Sequence, residues 1–64
     1  MRVNGVVREF AAATSVSELL AALGIDPRGI AVAINGEVAP RSRWAQTYIA
    51  TDDAVEIVSA VAGG

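Results

Sequence analysis

Apolar and polar positions switch between two periods along the chain. Val16, Leu19, Leu20 and Leu23 recur at helical spacing and form one apolar stripe. Ser15-Val16-Ser17-Glu18, just ahead of that stripe, is a capping box: the Ser15 hydroxyl can accept from the Glu18 amide while the Glu18 carboxylate reaches back. Gly24 follows as the left-handed residue that ends the helix. Elsewhere the period is two. Ile30, Val32 and Ile34 alternate with Ala31 and Ala33, and Val55, Ile57, Ser59 and Val61 alternate with Glu56, Val58 and Ala60. Asn4-Gly5 and Asn35-Gly36 each sit between apolar runs, where an Asn-Gly pair predicts a type I′ hairpin turn. The spacing therefore predicts strands over Met1–Val3 and Val6–Phe10, and a second hairpin from Ile30 through Ala39. Pro40 stops that ladder, as suits a sheet edge. "RSRWAQTYIATDD" keeps no period and reads as a loop with one helical turn around Trp44.

The predicted order is β-β-α-β-β-β in a single α+β domain over 1–64. One helix covers one face of a sheet. The first and last strands can lie side by side at the sheet centre, with the helix across them on Ile30, Val32, Ile34, Val55 and Ile57. That is the β-grasp arrangement with a mixed five-strand sheet. The opposite face then carries Ala31, Ala33, Val58 and Ala60, a candidate partner-docking surface. Small residues there equally suit a flat, half-buried sheet.

Composition narrows the chemistry. The 64 residues contain no cysteine and no histidine. Thiolate, disulfide, Fe–S and ordinary zinc chemistry fall away, as do Ser-His-Asp and Cys-His catalysis. The expectation is a protein that is not itself an enzyme and holds no metal or cofactor. The net charge of −2, with five arginines and no basic block, argues against nucleic acid. No run approaches a membrane span, and no secretory signal opens the chain, so a soluble cytoplasmic protein is expected. Trp44, Tyr48 and Phe10 are assigned to packing, Arg41 and Arg43 to solvent, and Asp52 and Asp53 to a turn.

What remains is the sequence's closing pair, Gly63-Gly64. A main-chain carboxylate, with a pKa of about 3.3–3.7, is an anion at neutral pH and a poor electrophile until it is activated. The chain has no glycine-rich phosphate loop, so any nucleotide-dependent activation of that carboxylate would fall to a partner. "INGEVAPR" with Trp44 close behind, then an acidic turn and "VEIVSAVAGG", resembles the ThiS family, the ubiquitin-like sulfur carriers of thiamine biosynthesis. The resemblance runs the length of the chain. "TDDA" stands where the family commonly has a glycine-aspartate pair, and the first hairpin is unusually tight.

The resemblance implies a definite cycle. A partner similar to ubiquitin-activating enzymes adenylates Gly64 with ATP and magnesium. A sulfur donor, of cysteine desulfurase or rhodanese type, converts it to a thiocarboxylate, and thiazole synthase receives the sulfur. Ala62 and Gly63 would thread the tail, flexible from about 62 to 64, into a narrow channel; Gly64 puts no Cβ beside the reacting carbon. Three other readings fit the same fold: the small subunit of molybdopterin synthase, a ubiquitin-like modifier, and a plain β-grasp interaction module.

Overall fold

A computed structural model describes residues 1–10 and 13–59. The chain opens with β1 (Arg2–Val3) and β2 (Val6–Val7), then β3 (Thr14–Ser15) leads into helix α1 (Val16–Ala22). β4 (Ile30–Ile34) and β5 (Glu37–Ala39) form the second hairpin. A 3-10 helix over Arg41–Gln46, β6 (Tyr48–Ile49) and β7 (Ala54–Ser59) complete it.

Five strands form one sheet in the order β2-β1-β7-β4-β5. β1 and β7 run parallel, with Arg2 opposite Ala54 and Val3 opposite Val55, and every other neighbour pair is antiparallel. The first and last strands thus meet at the middle of a mixed sheet, as the β-grasp arrangement requires. Both Asn-Gly pairs turn as type I′ requires: φ is 51° and 82° at Asn4 and Gly5, and 52° and 84° at Asn35 and Gly36.

The helix begins where the capping box places it. Glu18 N–H donates to Ser15 Oγ at 3.1 Å, and Ser15 N–H donates to Glu18 Oε1 at 2.8 Å. Gly24 follows the C-cap Leu23 at φ 68°. Val16, Leu19 and Leu20 are buried against Val3, Val32, Ala39, Trp44, Ile49 and Val55. Leu23, Ile30, Ile34 and Ile57 pack around that cluster half-buried.

Three expectations change. The predicted strand Val6–Phe10 is a ladder over Val6–Val7, extended by a reciprocal pair in which Arg8 N–H donates to Met1 O at 2.9 Å and the Met1 amine donates to Arg8 O at 3.1 Å. Beyond Arg8 the chain leaves the edge, and Phe10 turns toward the core. The turn around Trp44 is a full 3-10 helix. A second, two-stranded ladder was not foreseen: Thr14 pairs with Ile49 and Ser15 with Tyr48. It ties the start of α1 to the end of the 3-10 helix, helped by Val16 N–H donating to Thr47 O at 2.9 Å.

Candidate functional site

Several polar side chains of the body help to hold it together. Glu18 closes the helix cap. Asp26 pairs with Arg28 at 2.7 Å on the surface, and the guanidinium pulls its carboxyl below the usual carboxylate range. Asp53 accepts from Ala50 N–H at 2.8 Å and from Asn35 Nδ2 at 2.9 Å, which draws its carboxyl low as well. The turn assigned to Asp53 is therefore real, and its carboxylate shapes it. Among the described residues, no three carboxylate, histidine or cysteine groups cluster to hold a metal. No helix among them is long and apolar enough to cross a membrane. Gly64, Gly63 and Ala62 lie outside the described residues. The body supplies the strand that leads to them, β7.

β7 is gripped from both flanks, and the grip includes side chains. On one flank β4 pairs with it from Ile34–Val55 through Ile30–Ser59. At the head of that ladder Asn35 completes the pairing with its own carboxamide. Its backbone N–H donates to Ala54 O at 2.8 Å, and its Oδ1 accepts from Ala54 N–H at 3.0 Å. On the other flank β1 ends at Val3, and Asn4 N–H donates to Val55 O at 2.9 Å. The Asn4 side chain then continues where the backbone turns away. Its Oδ1 accepts from Ile57 N–H at 2.7 Å, and its Nδ2 donates to Ile57 O at 3.2 Å. A carboxamide has the donor and acceptor of a peptide group, so Asn4 acts as one more residue of β1. The two residues that make the type I′ turns are thus also the two that clasp the central strand. Sequence reasoning found the turns and missed the clasps.

The sheet face away from α1 is open. Ala31 pairs with Val58 and Ala33 with Glu56, so the register puts the predicted docking residues on one face. Val58 is 54% exposed, while Ala31 and Ala33 are half-buried, as small residues on a flat sheet should be. Ala60 lies outside the described residues. The register adds two residues that the alternation had not singled out. Val38, opposite Ala33, is 71% exposed, and Val7, opposite Arg2, is 70% exposed. Counting parity outward from the Asn-Gly turns would have located both.

The aromatic assignments divide. Trp44 is buried, with its indole N–H donating to Ala39 O at 2.9 Å. Tyr48, also assigned to packing, is 59% exposed, because its neighbour Ile49 takes the inward position of the short β6 strand. Arg41 is exposed yet engaged. It donates to Pro27 O at 2.7 Å and Ile30 O at 3.0 Å, and its guanidinium carbon stands 4.5 Å from the Trp44 ring centre.

Comparison with known proteins agrees with this architecture. The profile of the ThiS family matches residues 1–64. The sulfur carrier protein ThiS of Escherichia coli K12 is 36% identical over 61 residues, covering 95% of this chain and 92% of that one. A thiazole synthase from Paramagnetospirillum magneticum is 42% identical over 62 residues; the match takes in 97% of this chain and spans only 19% of the length of that relative. The crystal structure of the thiamine biosynthesis protein ThiS from Geobacter metallireducens superposes with a TM-score of 0.82 at 35% identity, covering 98% of this chain and 96% of that one. A solution structure of a thiamine biosynthesis protein from the same organism gives 0.74 at the same 35% identity, over 98% of this chain and 85% of that one. With a matched family profile along its whole length and the same mixed sheet under one helix, the chain belongs to the ThiS family, with its ubiquitin-like β-grasp fold.

Proposed function

We propose that this chain is a sulfur carrier for thiamine biosynthesis and that Gly64 bears the sulfur. The observation that carries this reading is the likeness to the Escherichia coli sulfur carrier over nearly the whole of both chains. Chemistry supports it. Glu18, Asn4, Asn35 and Asp53 are committed to the helix cap, the turns and the clasps on β7, and the activated group is placed on the main-chain carboxylate instead.

In the proposed cycle a partner enzyme binds ATP and magnesium. The Gly64 carboxylate attacks the α-phosphorus, and pyrophosphate leaves. The acyl-adenylate is now electrophilic. The outer sulfur of a persulfide on a cysteine desulfurase or rhodanese-type donor attacks the acyl carbon. AMP leaves with the bonding pair, and an acyl disulfide to the donor forms. A thiol reductant then attacks the donor's sulfur, the S–S bond breaks to release the thiocarboxylate, and the donor is left in a disulfide with that thiol. Thiazole synthase is the proposed acceptor, and the match to a segment of a thiazole synthase chain favours that pairing. Ala62 and Gly63 thread the tail, and Ala31, Ala33 and Val58 on the open face receive the partner, with Ala60 proposed as a further contact. The cytoplasm, where these reactants meet, is the proposed location.

Intact mass spectrometry tests the cycle. Incubation with the activating enzyme, ATP, magnesium, a sulfur donor and a thiol reductant is expected to yield a species heavier by the difference between sulfur and oxygen, localised to Gly64. Persistently unmodified Gly64, or a ladder of conjugates to other proteins, overturns the reading. The docking face has its own test. Val58→Arg places a long cation on the exposed apolar face and is expected to weaken partner association about tenfold, an order-of-magnitude figure for disrupting an interface centre. Unchanged titration curves would remove this face from the account.

A further inference from the structure

The two flanks of β7 do not extend equally far. β4 accompanies it to Ser59, the last described residue of β7. β1 stops at Val3, opposite Val55. From Glu56 onward, β7 is held on that side by the Asn4 carboxamide, bonded to both polar groups of Ile57. Ile57 lies two residues before Ser59, about 7 Å at ordinary strand rise. Asn35, by contrast, grips Ala54, about 17 Å from Ser59 on the same scale.

We propose that Asn4 is a positioning residue for the sulfur-charging reaction: by clasping Ile57 it fixes the direction in which β7 hands the chain on to Gly64. This rests on the sulfur-carrier reading. A strand held on one side only can twist and peel about its remaining ladder. A strand held on both sides near its exit aims the residues beyond it. When only a fraction of molecules presents the tail in a direction the activating enzyme can accept, the apparent affinity falls by that fraction. Once the tail is seated, chemistry proceeds as before. The expected signature is therefore a rise in KM with kcat preserved.

The molecule supplies its own control. Asn4 and Asn35 each sit at positive φ in a type I′ turn, and each side chain makes two hydrogen bonds at β7 or at the turn before it. Replacing either with glycine keeps the turn geometry and removes both bonds. Asn4→Gly and Asn35→Gly are thus matched in what they take from the fold and differ in where along β7 they take it.

The experiment compares wild type, Asn4→Gly, Asn4→Asp and Asn35→Gly as substrates of the activating enzyme in thiocarboxylate formation. Amide hydrogen exchange at Ile57 and Val58 is followed in parallel. Asn4→Gly is expected to raise KM about tenfold with kcat within about twofold, and to lower protection at Ile57 about tenfold while Val58, bonded on the β4 flank, keeps its own. Asn4→Asp retains the acceptor for Ile57 N–H and loses the donor, so it falls between; it also carries the test should the glycine variant fail to fold. Asn35→Gly is expected to leave KM unchanged. Equal KM in Asn4→Gly and wild type, or equal rises in the two glycine variants, overturns the positioning role while leaving sulfur carriage standing. A wild-type protein that is never charged overturns sulfur carriage itself, and the positioning role with it.

Discussion

Trp44 and Asp53 show how single residues do work that composition does not reveal. The Trp44 indole fills the core, satisfies its N–H on Ala39 and offers its face to the Arg41 guanidinium. Arg41 in turn binds the Pro27 carbonyl in the loop after α1 and the Ile30 carbonyl at the start of β4, so one surface cation ties three parts of the chain together. Asp53 accepts bonds from Ala50 N–H and Asn35 Nδ2, and these, with the charge of the chain's amino terminus, hold its carboxyl below the ordinary range. The sign of the consequence is fixed. A carboxyl with a folded-state pKa below its unfolded value, about 3.9, contributes stability that is complete above that value and is lost as pH falls through the folded one. Chemical denaturation at successive pH values below about 5 is expected to show wild type losing stability more steeply than Asp53→Asn. Parallel profiles would mean that the turn does not depend on this charge.

At the scale of elements, the capping box is the most exposed to test. Ser15 is buried, and its hydroxyl satisfies an amide of the first turn that lacks a helical partner. Ser15→Ala is expected to destabilise the protein by about 1 kcal/mol, read from a urea midpoint at unchanged slope. The box, the helix stripe, both type I′ turns and the edge proline were legible because each is a local pattern with its own physical requirement. The β3–β6 ladder was not. Two residues per strand are too few to show alternation, and Thr14-Ser15 reads first as a helix start. Tyr48 was misplaced for the same reason, since its outward position follows from that ladder. The clasps were hidden by distance along the chain: Asn4 and Ile57 are 53 positions apart, and nothing local announces a carboxamide that replaces a peptide group. For the candidate site, the terminal glycines and the alternating open-face residues were visible at once. The grip on β7 needed the register.

At the scale of the whole molecule, stability rests on a small core. Leu19 is fully buried between the sheet and the 3-10 helix, beside Val16, Val32 and Val55. Leu19→Ala is expected to remove about 2–5 kcal/mol, against a total of only several kcal/mol for a domain this small. The thermal midpoint should fall by about 10 °C or more. A loss below about 1 kcal/mol would show that α1 repacks, and that the core is looser than its burial implies.

The adjacency of β1 and β7 also sets a timetable. Of the described strands, the one in the middle of the sheet is the last to emerge during synthesis, while its two neighbours are made earlier and separately. Until it arrives, the two hairpins share no boundary, and the helix has no continuous surface to cover. Long-range pairing of this kind is slow and comes late. A chain broken off before β7 therefore offers other enzymes no assembled platform at all, so quality control is built into the order of the strands.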